Sequence, residues 1–154
     1  MAFFTWSQDM SVGVDLIDSD HQALIGLINE LHDALKDDDS ASLPADTFDR
    51  LIEYVERHFV REEAVMQACD YPNARPHRVQ HDRFTHEIST IRARYFKDDA
   101  SEAADELLNF LKTWLRHHIL VEDMAYRSYV EGNAEAIDVA DNFGPGLNEA
   151  TPGA

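Results

Sequence analysis

The sequence predicts an all-α protein, an up-down-up-down four-helix bundle with an N-terminal arm and a flexible C-terminal tail. Three observations lead there. Four segments carry apolar residues at alternating spacings of three and four, the period of one helix face. Turn-forming residues fall between those segments or at their starts. No strand-like alternation of any length competes with them.

Residues 1–17 include Phe3, Phe4 and Trp6 without a sustained period, and they read as an arm laid against the domain. The first stripe runs Ile17, His21, Leu24, Ile28, Leu31, Leu35. Asp37-Asp38-Asp39-Ser40 and Pro44 separate it from the second, which runs Phe48, Leu51, Val55, His58, Glu62, Val65, Cys69. Tyr71-Pro72-Asn73 ends that helix, and Pro76 suits the first turn of the next. The third stripe is His77, His81, Phe84, Ile88, Ile91, Tyr95, closed by Asp98-Asp99. Asp99 with Glu102 matches a capping box for the fourth, which runs Ala104, Leu108, Leu111, Leu115, His118. Gly132-Asn133 is its expected stop. The bundle therefore spans residues 1–131. Residues 132–154, with two of the five prolines, four acidic residues and no Lys or Arg, are expected to form a disordered acidic tail.

Composition narrows the function. Among 154 residues, 30 are acidic and 13 basic, a formal net charge of -17. So acidic a surface repels phosphate backbones and anionic leaflets, so neither nucleic acid nor a membrane is an expected partner. The first basic side chain is Lys36, which does not suit a leader peptide. One cysteine, Cys69, permits no internal disulfide, and the expected compartment is the cytoplasm.

The informative residues are those that interrupt the apolar stripes. His21, His58, Glu62, His77, His81 and His118 occupy positions where Leu or Ile belongs. A lone seam histidine is ordinarily a hydrogen-bonded core residue, but these five come from four helices. A buried carboxylate without a cationic partner costs several kcal/mol, and the stripes offer Glu62 no Lys or Arg. A bound cation compensates such a set economically. His58 with Glu62, and His77 with His81, are i,i+4 pairs that project from one face. His32, His86 and His117 fall off the stripes, as surface residues or supports behind the site.

The donor set exceeds what tetrahedral zinc takes, and calcium and magnesium prefer all-oxygen shells. Nitrogen-rich coordination with carboxylates suits iron, with copper or zinc as competitors, and more than six ligands imply two ions. The chain contains no Glu-x-x-His, the pair used by ferritin-like diiron bundles, and no His-Glu-x-x-His.

These residues resemble the hemerythrin family over about residues 4–130. The motifs that carry the resemblance are Ile17-Asp18-Ser19-Asp20-His21, His58-Phe59-Val60-Arg61-Glu62-Glu63, Tyr71-Pro72, His77-Arg78-Val79-Gln80-His81, and Trp114-Leu115-Arg116-His117-His118-Ile119 leading to Asp123. The resemblance implies two iron ions joined by an oxo or hydroxo bridge. It makes His77, His81 and His118 ligands of one iron and His21 and His58 ligands of the other. Glu62 and Asp123 would bridge both. That inventory leaves one position open, on the iron with two histidines, for dioxygen as the ligand. Leu24, Phe59, Trp114, Leu115 and Ile119 lie near these ligands in sequence and would line an apolar oxygen pocket.

Spacing and family pattern part at one place. Regular steps from His118 reach Glu122, whereas the family pattern selects Asp123, which needs local helix widening or a reaching side chain. The expected function is reversible dioxygen binding by a carrier, store or delivery protein, not an enzyme. A monomer is expected, with transient contact to an oxygen-using enzyme. The alternatives are a diiron redox enzyme or sensor acting on peroxide, nitric oxide or oxygen, and an iron-storage or structural bundle.

Overall fold

The computed structural model of the chain describes residues 2–36, 45–97 and 100–142. Within them the chain is helical and holds no strand. After a 3-10 turn at Gln8–Met10 come α1 (Asp15–Lys36), α2 (Ala45–Ala68), α3 (Ala74–Lys97) and α4 (Ala100–His117). A π-helical turn, His118–Asp123, joins α4 to α5 (Met124–Val130), and α6 (Ala134–Asn142) follows. Each of the four long helices packs on the next and α4 returns to α1, which makes the expected four-helix bundle. None is long and apolar enough to cross a membrane. The expected separators at residues 37–44 and 98–99, and the cap involving Asp99, lie outside the described residues.

Local chemistry sets the helix ends. Asp15 and Asp18 sit in the first turn of α1 and Lys36 in its last, each opposing the local helix dipole. At the end of α2, Asp70 takes φ 53°. The Tyr71 N–H then reaches the Met66 carbonyl at 3.0 Å and the Asp70 N–H the Gln67 carbonyl at 3.2 Å, the paired bonds of a Schellman motif. So short a reversal turns α3 back antiparallel to α2.

The arm does lie on the domain. The Asn29 amide clamps the Phe4 backbone, accepting from its N–H and donating to its carbonyl at 2.8 Å each. Phe3 stacks on His32 at 4.3 Å. The first part of the expected tail is corrected. Gly132 turns the chain at φ 75°, the Asn133 side chain accepts the Ala136 N–H at 3.1 Å, and α6 forms. It packs on α2 with Ala136 and Ala140 fully buried. Alanines leave no large apolar stripe, so the acidic composition masked this helix. Residues 143–154 lie outside the described set.

Among the described residues the core has two apolar clusters. One gathers around Leu24, Leu51, Phe84 and Leu111, the other around Ile17, Val65, Met66 and Tyr126. On α1 and α2 a polar residue marks the passage from one cluster to the other. His21 follows Ile17 and precedes Leu24, and Glu62 separates Phe59 from Val65.

Candidate metal centre

Seven polar side chains form the belt between the clusters. His21, Glu62 and Asp123 are fully buried, and His58, His77, His81 and His118 are at most 2% exposed. α1 supplies His21, α2 His58 and Glu62, α3 His77 and His81, and the π turn His118 and Asp123. The structure thus brings together all seven residues singled out in the sequence.

Each carboxylate spans two histidine groups. Glu62 Oε1 lies 2.6 Å from His77 Nε2 and 3.2 Å from His81 Nε2, while its Oε2 lies 3.0 Å from His58 Nε2 and 3.7 Å from His21 Nε2. Asp123 Oδ1 lies 3.0 Å from His118 Nε2 and 3.1 Å from His77 Nε2, while Oδ2 lies 3.1 Å from His21 Nε2. All five rings therefore turn Nε2 inward. Donor atoms of Glu62, His77, His81 and His118 lie mutually within 4.8 Å, as do those of His21, His58, Glu62 and Asp123.

Hydrogen bonding does not exhaust these atoms. Both Asp123 oxygens and Glu62 Oε2 are buried without a hydrogen-bond partner, despite their short distances to imidazole nitrogens. Leaving buried carboxylate oxygens unsatisfied is costly. A cation seated among them supplies the missing interaction, so the donor set fits a metal.

Burial opposes charge on His21, His58, His77, His118, Glu62 and Asp123, but the contacts around them win. His58 and His77 are pushed up to about 10 by the carboxylates around them, and His118 to about 9. His21 is also raised, against its desolvation, by Asp123 and Glu62. Glu62 is held well below the usual range; burial works against this and the surrounding imidazoles outweigh it. Asp123 is likewise lowered, against both burial and the Glu62 charge, chiefly by His118.

Between Glu122 and Asp123 the π turn decides. The Met124 N–H bonds to the Ile119 carbonyl five residues back, and Asp123 faces the belt while Glu122 is half-buried outside it. Of the expected pocket residues, Leu24, Phe59, Trp114 and Leu115 border an apolar cavity of about 10 Å³. Ile119 is fully buried but does not line that cavity. Phe59 stacks on His81 at 3.7 Å and Trp114 on His118 at 4.3 Å, so the cavity wall abuts the belt. His86 and His117 are exposed and His32 is half-buried against Phe3, away from the belt.

Sequence reasoning assigned no role to Asp20, Arg61, Glu63 or Tyr126. Asp20 Oδ2 lies 3.2 Å from His58 Nδ1, and Glu63 Oε1 2.9 Å from His81 Nδ1. Tyr126 is fully buried 5.9 Å from the His77 ring, its hydroxyl unpartnered and its pKa pushed well up by burial. One signal was available: Asp20 and Glu63 each adjoin a seam ligand in sequence.

A family model described as the hemerythrin HHE cation binding domain matches residues 12–130. A bacteriohemerythrin from Pseudomonas aeruginosa is 32% identical over 126 residues, covering 82% of this chain and 80% of the relative. One from Stenotrophomonas maltophilia is 31% identical over 133 residues, with 86% and 85% covered. A crystal structure of a hemerythrin mutant superposes with a TM-score of 0.73 at 24% identity, covering 85% of this chain and 99% of that one.

Proposed function

This chain belongs to the hemerythrin family, and on that premise we propose that it binds dioxygen reversibly at a non-heme diiron centre. The observation that carries the reading is the span of the two carboxylates: Glu62 and Asp123 each direct one oxygen to each of two histidine groups. A single ion would not call for that arrangement.

In this reading His77, His81 and His118 hold one iron, His21 and His58 hold the other, and Glu62 and Asp123 bridge them. Two irons with an oxo or hydroxo bridge would supply the redox electrons and the open coordination position that dioxygen takes up. The chain's own residues do the rest. Five inward Nε2 atoms, fixed from four helices, orient the site before anything binds. Leu24, Phe59, Trp114 and Leu115 exclude water from its flank. Ile119 extends the same apolar packing in the core. Asp20, the other buried carboxylate among the described residues, is engaged by Arg61 and His58. Among the described residues no buried carboxyl group thus stands ready to feed protons into O–O cleavage. That favours binding over turnover, and so a carrier, store or delivery protein over an enzyme. We place it in the cytoplasm, as a monomer that meets oxygen-using enzymes transiently.

Gas cycling of the iron-loaded protein tests this reading. A visible band that appears under air, fades on deoxygenation and returns, with stoichiometric uptake, is the expected result. Steady consumption of oxygen or peroxide identifies a redox enzyme instead.

A further inference from the structure

Among the described residues, the only buried charged side chains besides the seven of the belt are Asp20 and Arg61. They form a direct pair, in which Arg61 Nη1 donates to both Asp20 oxygens at 2.9 Å. A buried ion pair brings little net stability compared with apolar residues of the same volume. Its placement points to another role. Asp20, on α1, reaches across to α2, where its Oδ2 lies 3.2 Å from Nδ1 of His58. The opposite nitrogen of that ring, Nε2, faces Glu62 Oε2 at 3.0 Å and His21 Nε2 at 3.1 Å.

We propose that the buried Asp20–Arg61 pair is a positioning device for His58, fixing its ring in one tautomer and raising the affinity of the metal position it shares with His21. The inference rests on the diiron reading above and adds two residues to it. A neutral imidazole carries one proton. With that proton on Nδ1 and donated to Asp20, Nε2 keeps a bare lone pair aimed into the belt. The carboxylate also makes the ring a stronger donor. Arg61 balances the Asp20 charge, so the pair polarises the ring without adding net charge beside the metal.

The two halves of the site are supported differently. His81 has an analogous partner in Glu63, at 2.9 Å, but the Glu63 side chain is 25% exposed and water screens it. Asp20 is fully buried and Arg61 only 4% exposed, so their field acts on His58 without that screening. The position shared by His21 and His58 is the one the diiron reading leaves open to dioxygen.

The test is anaerobic titration of the full, metal-free chain with ferrous iron, beside long-range proton–nitrogen NMR of the zinc-loaded form. The wild type should take up two equivalents, with the His58 proton on Nδ1. Asp20→Ala should weaken one equivalent by roughly 10- to 100-fold, leave the other, and mix the His58 tautomers. Because Asp20→Ala takes the carboxylate away from a buried Arg61 and endangers folding, the double variant Asp20→Leu with Arg61→Met removes both charges together. It should melt no lower than the wild type while one equivalent stays weakened. Variants that bind both equivalents with wild-type affinity, or a double variant that regains the affinity, overturn the proposal. A wild type that takes up one equivalent overturns the diiron reading, and this proposal with it.

Discussion

His118 and Asp123 stand five residues apart in sequence, yet His118 Nε2 and Asp123 Oδ1 lie 3.0 Å apart. In a regular α-helix that separation rotates the second side chain by about 140° from the first. The π turn closes the difference, because i→i+5 bonding brings the fifth residue back beneath the first. One extra residue in the fourth helix thus converts a seam histidine into half of a ligand pair.

That geometry separates two neighbouring carboxylates. Asp123→Ala should abolish binding of the ion pair, whereas Glu122→Ala, outside the belt, should leave two metals per chain. Metal analysis with visible spectra of both variants decides it. The reverse outcome would assign the bridge to Glu122.

The cavity wall makes a different prediction. Leu115 is buried beside Trp114, which stacks on His118. Leu115→Ala should cost about 2–5 kcal/mol of stability, depending on how far the site collapses. The room left would admit water next to the belt. Iron content should stay near normal while the oxygenated band decays faster. An unchanged decay rate in a fully loaded variant would make Leu115 plain core.

Metal removal should expose a pH dependence. His58, His77 and His118 titrate at about 10, 10 and 9 in the metal-free fold, against 6.5 when unperturbed. Raised values mean that the folded state binds protons more tightly. Their stabilisation is complete below about pH 6.5 and is lost as pH climbs through 9 to 10. Glu62 and Asp123, lowered from 4.5 and 3.8, act oppositely, and their contribution is lost as pH falls below those values. The metal-free chain should therefore melt at progressively lower temperature from pH 6.5 to 10. The loaded chain should not, because its ligating imidazoles are already neutral, and metal uptake should release protons. Melting curves with and without a chelator across that range check both; coincident pH profiles would contradict the assignment.

Legibility in the sequence followed side-chain volume. The stripes through Leu24, Val55, Ile88 and Leu111 each repeat at the helix period and placed the bundle seam, so a His or Glu in the same stripe stood out. Asp20 and Arg61 were hidden because each sits one position off the stripe beside a ligand, where an acidic or basic residue reads as solvated surface. Only the folded chain shows α1 and α2 closing over both. Spacing pointed to Glu122 and only the family pattern selected Asp123, since a π turn has no strong local signature. α6 was missed because Ala136 and Ala140 bury little area each. The Asn133 cap and the i,i+4 alanines were the faint signal.

Removing α6 tests that correction. Ending the chain at Asn133 uncovers the part of α2 that Ala136 and Ala140 pack against. Stability should fall by about 1–3 kcal/mol at roughly 25 cal/mol per Å² of re-exposed apolar surface. Metal uptake should persist, since α6 supplies none of the seven belt residues. Chemical denaturation of the two lengths measures the difference, and equal stability would mean that α6 adds nothing to the fold.

The central claim, that Glu62 and Asp123 bridge two ions, is tested most directly by counting iron. Untagged protein produced with iron available should contain two irons per chain and little zinc. A stoichiometry near one, or zinc in preference to iron, would contradict it.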